Sequence, residues 1–494
     1  MNSGTKLPAA CGTGIEGLDA ILNGGLAPSR VYLIEGTPGA GKTTLAMQFL
    51  REGARLGERC FYITLSETRD ELVASSNNHG WDLTGIEIRE YIVSDASVER
   101  DTELTMFHTS EIELGDTLQL MLNDIREFAP QRVVLDALSE LRLLSESVLR
   151  YRRQLLALKR FFAERQCTAL VLDDQSMAER DSHVESIVHG VISLEHQLTD
   201  YGADRRRLRV RKLRGRSFHT GLHDYVIRTG GLLVFPRLVA AQHATTFERR
   251  SIPSGIVALD ELLGGGPQLG TSTLLIGPAG CGKTTMTMQY AVAAARRQER
   301  VAAYIFDELC ALMIDRLRAV GIDLQPVLDS GALTLRQIDP TEMSPGEFAS
   351  IVRHDVEQGG ATLVVIDSLN GYLNAMPHEQ FLAAQLHELL SYLGHRGVAT
   401  MIVVGQQGIV GAHMTTPVEA SYLADSIMVF RYFEAEGQLR KAISVTKKRG
   451  GGHENTIREL TINANGVSVG KALSEFHGVL TGVPQPRMSG TVSL

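Results

Sequence analysis

The chain contains the same sequence pattern twice, and this duplication limits the folds that it can adopt. The segment GTGIEGLDAILNGGL, which begins at residue 12, returns as PSGIVALDELLGGG from residue 253. Each copy continues with a short apolar run and then a glycine-rich loop, GTPGAGKTT at 36–44 and GPAGCGKTT at 277–285. A repeat this long indicates a duplicated domain and not a solenoid of short units.

Within each copy, continuous apolar runs such as FYITL and RVVLD alternate with helix-forming stretches. Strands that are apolar on both faces and separated by helices are typical of a parallel sheet built from βαβ units. We therefore predict an α/β fold with two domains, residues 1–240 and 241–480, each with a central, mostly parallel sheet flanked by helices. The polar segment 239–251 is predicted to be a linker, and residues 481–494 a flexible C-terminal tail.

Composition excludes several classes of protein. With 49 Lys and Arg against 57 Asp and Glu, the net charge of -8 argues against a protein that coats nucleic acid through bulk charge. No apolar run approaches the roughly 20 residues of a membrane helix, and the N-terminus has no apolar signal segment. Five scattered cysteines without a C-x-x-C pair indicate free thiols in a reducing compartment. We therefore expect a cytoplasmic protein.

The pattern G-x-x-x-x-G-K-T, placed after a strand and before a helix, predicts a phosphate-binding loop. Its glycines let backbone N–H groups curl around a phosphate, and the helix N-terminus adds a positive dipole end. Lys42 and Lys283 are predicted to neutralise the β- and γ-phosphates of a nucleotide, while the Thr43 and Thr284 hydroxyls bind Mg²⁺. The two predicted loops consist of Gly36, Thr37, Pro38, Gly39, Ala40, Gly41, Lys42, Thr43 and Thr44, and of Gly277, Pro278, Ala279, Gly280, Cys281, Gly282, Lys283, Thr284 and Thr285.

Carboxylates follow the strands in both copies. Asp136 and Asp367 each end an apolar strand, where a carboxylate that orients Mg²⁺ is expected beside a phosphate loop. The alternative interpretation is that each caps the helix that comes next.

Glu67 and the pair Asp307-Glu308 also follow apolar strands, and they are candidates for the carboxylate that activates the attacking water. The first copy has Ser66 where the second has Asp307, and a serine cannot act as a base at neutral pH. The first copy therefore either depends on Glu67 or hydrolyses slowly. Capping of the following helices is again the alternative.

Segment 204–216 contains seven arginines and one lysine, and the second copy keeps only KKRG at the matching place. A DNA contact and a solvated sheet edge are two interpretations of this segment. The feature that the copies share is a pair of alternate basic residues, which point the same way from a strand. Such a pair has no phosphate to bind in its own subunit, which favours basic side chains that act on the nucleotide of a neighbouring subunit. This arrangement predicts a ring of subunits assembled head to tail. The predicted nucleotide contacts in these strands are Lys212, Leu213, Arg214, Lys447, Lys448 and Arg449.

Taken in this order, these motifs resemble the KaiC family, the circadian-clock ATPases and autokinases of the RecA-like superfamily. The resemblance covers about residues 12–485, and its most specific strings are GLDAILNGGL, the two phosphate loops, SETRDEL, DELCAL, KLRGRSFHTG, KKRGGGHENTIREL and FHGVLTGVP. It implies two tandem RecA-like P-loop NTPase domains that use ATP and Mg²⁺. It also implies an ATP-dependent, double-ring homohexamer with KaiB-like or other signalling partner proteins, no membrane and no nucleic acid.

The resemblance further implies that the first layer is mainly an ATPase, and that the second is a Ser/Thr autokinase and autophosphatase acting on the adjacent subunit. The family's neighbouring Ser-Thr pair corresponds here to Ser421 and Tyr422, and a downstream Thr to Ala424. Ser421 is therefore the candidate phosphosite, whereas Tyr422 presents a phenol. Two other functions stay open: a RecA/RadA-like DNA-dependent ATPase, and an ATP-gated scaffold without kinase activity.

Overall fold

The computed structural model divides the chain into two compact units, Met1–Arg237 and Leu238–Leu494, called here the first and the second unit. The residues that the structure describes are 10–91, 109–143, 145, 147–174, 182–374, 381–406, 424–480 and 485–486.

The described part of the first unit forms one nine-stranded sheet with helices around it. Its strands are β1 (Val31–Gly36), β2 (Cys60–Thr64), β3 (Ile86–Glu90), β4 (Arg132–Asp136), β5 (Thr168–Asp174), β6 (Gly190–Gln197), β7 (Arg205–Leu213), β8 (His223–Arg228) and β9 (Gly231–Phe235). Its helices are α1 (Glu16–Ile21), α2 (Lys42–Arg55), α3 (Arg69–Asn78), α4 (Thr109–Phe128), α5 (Leu138–Leu143), α6 (Val148–Glu164) and α7 (Ser182–Ile187). The strand order is β3-β2-β4-β5-β1-β6-β7-β8-β9, parallel as far as β6 and antiparallel from β6 to β9.

The second unit repeats this arrangement. Its strands are β10 (Ser272–Gly277), β11 (Arg300–Ile305), β12 (Leu333–Gln337), β13 (Ala361–Asp367), β14 (Ala399–Gly405), β15 (Ser426–Ala435), β16 (Gln438–Lys448), β17 (Arg458–Asn463) and β18 (Gly466–Ala472). Its helices are α8 (Val257–Leu262), α9 (Lys283–Arg296), α10 (Cys310–Ala319), α11 (Gln325–Asp329), α12 (Pro345–Glu357), α13 (Leu369–Asn374) and α14 (Leu382–His395). The order β12-β11-β13-β14-β10-β15-β16-β17-β18 matches the first sheet strand for strand, so the predicted mostly parallel α/β architecture is confirmed.

Each central strand is apolar throughout because both faces of the sheet are covered. In β1, Tyr32 and Ile34 belong to one buried core, whereas Val31 and Leu33 belong to another on the opposite face. This alternation between two cores explains why the strand is a continuous apolar run and not an alternating one.

A buried cation holds α2 and β4 together. Arg132 is 1% exposed, contacts the Glu58 carboxylate, and donates to the Phe49 carbonyl at 2.8 Å. Its guanidinium also lies over the Phe49 ring, 4.7 Å from the centroid. Since α2 begins at the first phosphate loop and β4 ends at Asp136, these contacts fix the two elements that carry the site.

Part of the predicted linker packs onto the second unit. Ala240 lies in a short 3-10 helix (Ala240–His243), is buried, and donates its N–H to the Glu388 carboxylate at 2.8 Å. The Thr245 N–H donates to the His395 carbonyl at 3.0 Å. The polar composition of the segment between the copies could not reveal these contacts with α14. The predicted domain limits stay predictions.

Of the predicted tail, the structure describes only two residues. They form β20 (Gln485–Pro486), which pairs antiparallel with β19 (Phe476–His477). The rest of residues 481–494 lies outside the described part of the chain. Among the helices that the structure describes, none is long and apolar enough to cross a membrane.

Candidate nucleotide sites

In both units the glycine-rich loop joins a central strand to the helix that follows, β1 to α2 and β10 to α9. Gly41 and Gly282 precede these helices at φ of 90° and 103°, a conformation that favours glycine. A Cβ atom on Gly41 would lie 2.5 Å from the Ile227 side chain, and one on Gly282 would lie 2.3 Å from Ile462. Only glycine therefore fits at these two positions of the loops.

The first loop lysine is fully engaged within its own unit. The Lys42 Nζ donates to the carbonyls of Gly36 at 3.0 Å and Thr37 at 3.3 Å, and to the Asp174 carboxylate at 2.6 Å. Asp174 is the last residue of β5 and pairs with Gly36 at the end of β1. A lysine ammonium has three donors, so the three acceptors use all of them.

The second loop lysine has the same two carbonyls but no carboxylate among the described residues. The Lys283 Nζ donates to Gly277 at 2.8 Å and to Pro278 at 2.7 Å, while its third contact is the Cys281 sulfur at 3.8 Å. A cavity of about 410 Å³ opens beside it. The cavity is lined by Ala279, Gly280, Lys283, Thr284, Ile305, Asp307, Glu308, Asp367, Ser368, Asn370, Val403, Gly405 and Gln406.

In the first unit, the strand-end aspartate lies directly beside the loop. The Asp136 Oδ2 accepts a hydrogen bond from the Thr43 hydroxyl at 3.2 Å and another from the Tyr62 hydroxyl at 2.6 Å. Burial raises the pKa of Asp136, and the hydrogen bonds from Tyr62 and Thr43 oppose that effect. The predicted metal pair, Thr43 and Asp136, is thus brought together.

In the second unit, one oxygen of the corresponding aspartate is unsatisfied. The Asp367 Oδ2 is buried and has no hydrogen-bond partner among the described residues. Burial raises the pKa of Asp367 to about 6, while the Thr284 hydroxyl and the Lys283 charge act in the opposite direction. A buried carboxylate oxygen next to a hydroxyl fits Mg²⁺, which prefers oxygen ligands and few protein groups. The residues present therefore fit the implied ion.

A pH dependence of metal binding follows for Asp367. Its carboxyl must be ionised to bind a divalent cation, so protonation as the pH falls through about 6 removes that charge. In the Lys42→Ala variant, where only the second site is intact, we expect the Mg²⁺-dependent gain in ATP binding to fall about tenfold between pH 7 and pH 5. Adding Asp367→Asn provides the control, because protonation of ATP itself affects both proteins. Equal pH dependence in both would contradict the assignment of Asp367.

Glu67 follows β2 and does not cap the helix behind it. The N-cap of α3 is Thr68, whose side chain accepts from the Glu71 N–H in a capping box. Partial removal from water raises the pKa of Glu67, and the negative charges of Asp136 and Glu71 add to this effect. Glu67 is therefore close enough to Asp136 to feel its charge, and its basicity is increased.

The two acids of the second unit have different partners. Asp307 accepts a hydrogen bond from the hydroxyl of Ser368, the residue that directly follows Asp367 in the chain. Glu308 is bound through both oxygens by Arg316, with Nε–Oε1 at 3.1 Å and Nη2–Oε2 at 2.7 Å. Neither acid caps α10, whose N-cap Leu309 makes no side-chain cap hydrogen bond. Asp307 is therefore the acid without a cationic partner among the described residues.

The shared basic residues lie near the starts of β6 and β15. The Lys212 Nζ donates to the Val188 carbonyl at 2.9 Å, and the Lys447 Nζ donates to the Ala424 carbonyl at 2.7 Å. The phosphate loops begin at the other ends of the parallel neighbours β1 and β10. These basic groups and the loop of their own unit thus belong to opposite edges of the sheet.

The arginine-rich strand β7 is not a sheet edge, because it pairs with both β6 and β8. Arg211 donates to Glu35 at 2.8 Å and to Glu185 at 2.6 Å, and Arg207 lies 3.5 Å from Asp224. These arginines are thus engaged by carboxylates of their own unit. Ser421 and Tyr422, the candidate phosphosites, lie outside the described residues.

Four residues near the sites were not found by sequence reasoning. They are Tyr62, Asp174, Arg316 and Ser368. A signal for one of them was present: LDDQ at 172–175 in the first copy corresponds to VVGQ at 403–406 in the second. Comparing the copies at the ends of their strands would have singled out Asp174 opposite Gly405.

Fold and sites together define a P-loop ATPase with two tandem RecA-like units. A family model described as "ATPase: KaiC" matches residues 11–239 and 252–474. This chain therefore belongs to the KaiC family.

Curated relatives match nearly the whole chain. "Circadian clock oscillator protein KaiC" of Parasynechococcus marenigrum is 27% identical over 486 residues, which cover 97% of this chain and 93% of the relative. The protein of the same name from Synechococcus elongatus is 26% identical over 490 residues, with 98% and 93% covered. "Circadian clock oscillator protein KaiC 1" of Synechocystis is 25% identical over 479 residues, with 96% and 91% covered.

Proposed function

We propose that this KaiC-family ATPase binds Mg²⁺-ATP in both units, hydrolyses it mainly in the first, and uses the second for autophosphorylation and dephosphorylation at Ser421. One observation supports the proposal: in both units a phosphate loop, its lysine, its threonine and a strand-end aspartate lie together. Its relatives are named circadian clock oscillator proteins, so we propose a clock-type or signalling role through KaiB-like or other partner proteins.

Within each site the chain's own residues have distinct tasks. The loop lysines hold the β- and γ-phosphates, and Thr43 with Asp136, or Thr284 with Asp367, hold Mg²⁺. Bound Mg²⁺ supplies positive charge that stabilises the charge developing on the transferred phosphate. Glu67 takes a proton from the attacking water in the first unit, because its pKa is raised and it lies near Asp136.

In the second unit we assign the base to Asp307. Arg316 neutralises the charge of Glu308 through a bidentate salt bridge. Ser368 instead orients the Asp307 carboxylate at the wall of the cavity. This base takes the proton of the acceptor hydroxyl, whose oxygen bonds to the γ-phosphorus of ATP while the bond from that phosphorus to the β–γ bridging oxygen breaks and ADP leaves. Glu308 then acts as a positioning residue for the loop between β11 and α10.

The chain distance between Ser421 and the anchored residue Asp425 favours transfer between subunits. Asp425 donates its N–H to the Ser272 carbonyl at 2.9 Å, at the start of β10. At ~3.3 Å per residue, the six residues of β10 place its phosphate loop about 17 Å away. The four residue steps from Asp425 back to Ser421 span at most ~14 Å when fully extended. We infer that Ser421 receives phosphate from a neighbour's site.

The basic pairs lie at the edge of the sheet opposite their own phosphate loop. A head-to-tail ring would bring Lys212, Arg214, Lys447 and Arg449 to the nucleotide of the next subunit. We propose the ATP-dependent, double-ring homohexamer on this basis.

The function is tested by measuring ATP turnover and mapping phosphopeptides on one preparation of purified protein. We expect slow hydrolysis together with a phosphate on Ser421. Hydrolysis without any phosphopeptide would leave an ATP-gated scaffold. Salt-sensitive stimulation by DNA would favour a DNA-dependent ATPase, but the ion pairs of β7 give that function no specific support.

A further inference from the structure

We propose that Asp174 sets the nucleotide affinity of the first site by occupying, with its carboxylate, the lysine donor that a phosphate of ATP needs. This inference rests on the proposed function, since it concerns the same phosphate loop. With Asp174 in this role, the first and second sites differ in their affinity for nucleotide.

A lysine ammonium has three hydrogen-bond donors. In the first site two are used by loop carbonyls and the third by Asp174, at the shortest distance, 2.6 Å. In the second site two are used by the equivalent carbonyls, and among the described residues the third meets only a sulfur at 3.8 Å, which is a weak acceptor. A phosphate can therefore reach Lys283 directly, whereas at Lys42 it must displace a carboxylate.

Register explains why one copy has this contact. Asp174 ends β5 opposite Gly36, and Gly405 ends β14 opposite Gly277, so the two residues occupy the same place. Gly405 has no side chain and lines the cavity of the second site. The two copies thus differ by one carboxylate at the position that faces the loop lysine.

A second group in the first site is likewise satisfied internally. The Tyr62 hydroxyl donates to Asp136, whereas Ala303 stands at the corresponding place in β11 and leaves the Asp367 Oδ2 without a partner among the described residues. Both the cation and the metal carboxylate of the first site therefore have internal partners that a nucleotide must replace. In the Lys42–Asp174 pair, the Lys42 side chain is 10% exposed and the Asp174 side chain is 47% exposed. A pair of this kind changes affinity by about tenfold.

The test uses the full chain and a fluorescent mant-ATP probe with Mg²⁺. In a Lys283→Ala background, which isolates the first site, we expect Asp174→Asn to lower the Kd about tenfold. Asp173→Asn is the matched control, because it removes the same charge one residue earlier, where the side chain faces Arg142 at 3.8 Å. It should leave the Kd within about twofold.

The reciprocal change is made in the second site, in a Lys42→Ala background. A Cβ atom on Gly405 would meet Asn370 at 3.5 Å, an ordinary contact, so a side chain fits there. We expect Gly405→Asp to raise the Kd about tenfold relative to the isosteric Gly405→Asn.

Weaker or unchanged binding after Asp174→Asn would overturn the inference, as would equal Kd values for Gly405→Asp and Gly405→Asn. Failure of the proposed function gives a different result: mant-ATP would then bind neither the Lys283→Ala protein nor its Asp174→Asn derivative. Unfolding is excluded as a cause by requiring unchanged circular dichroism in every variant.

Discussion

Glu67→Gln is expected to lower ATP hydrolysis at the first site by about 100-fold, because the amide cannot accept the proton of the attacking water. The structure places Glu67 ahead of α3 without a capping role, and raises its pKa through partial burial and nearby negative charge. A raised pKa brings the carboxylate closer to the basicity that proton abstraction needs. Nucleotide binding should be retained, since Glu67 contributes nothing to the phosphate loop.

The measurement is steady-state ATP turnover in the Lys283→Ala background, together with the mant-ATP Kd. Ser66→Ala is the control, because it alters the preceding exposed residue without removing a carboxylate. In the parent protein the rate should fall as the pH drops through the pKa of Glu67, and Glu67→Gln should lose that dependence. A rate within about threefold of the parent protein would show that another group activates the water.

Lys283→Ala is expected to abolish phosphate incorporation at Ser421 and to weaken Mg²⁺-ATP binding at the second site by about 100-fold. Lys283 is buried and donates to two loop carbonyls, and within the part of the chain that the structure describes its third donor has no strong acceptor. Removing the Lys283 side chain eliminates both its contact with phosphate and its hydrogen bonds to the two loop carbonyls, which hold the loop in its conformation. A hydrogen-bonded ionic contact of this kind accounts for a loss of this size.

The matched variant is Lys42→Ala, which alters the equivalent residue of the first loop. We expect it to reduce hydrolysis while phosphate still reaches Ser421. Mass analysis of the peptide that contains Ser421 distinguishes the two variants, since each added phosphate adds roughly 80 Da. Phosphorylation that persists in Lys283→Ala and disappears in Lys42→Ala would reverse the assigned division of tasks.

Sequence alone predicted the parts of the site that are local in the chain. The phosphate loops, Thr43, Thr284, Asp136 and Asp367 are identified by short motifs, because a strand, a turn and a helix that are adjacent in sequence position them. The mostly parallel sheet could be predicted for the same reason, since continuous apolar strands alternate with helices.

Contacts made between distant segments could not be predicted. The Lys42–Asp174 pair requires β1 and β5 to be neighbours in the sheet, although three strands and several helices lie between them in the chain. Arg316, on α10, binds Glu308 eight residues earlier in the chain, a contact that no short motif indicates. β7 lies inside the sheet, and its charged composition gave no sign of that position.

The most direct test of two separate nucleotide sites is the number of Mg²⁺-ATP molecules bound per chain at equilibrium. It should be measured on the wild type, on Lys42→Ala, on Lys283→Ala and on the double variant. Two bound nucleotides in the wild type, one in each single variant and none in the double variant are expected. One nucleotide per wild-type chain, lost completely in either single variant, would contradict the account.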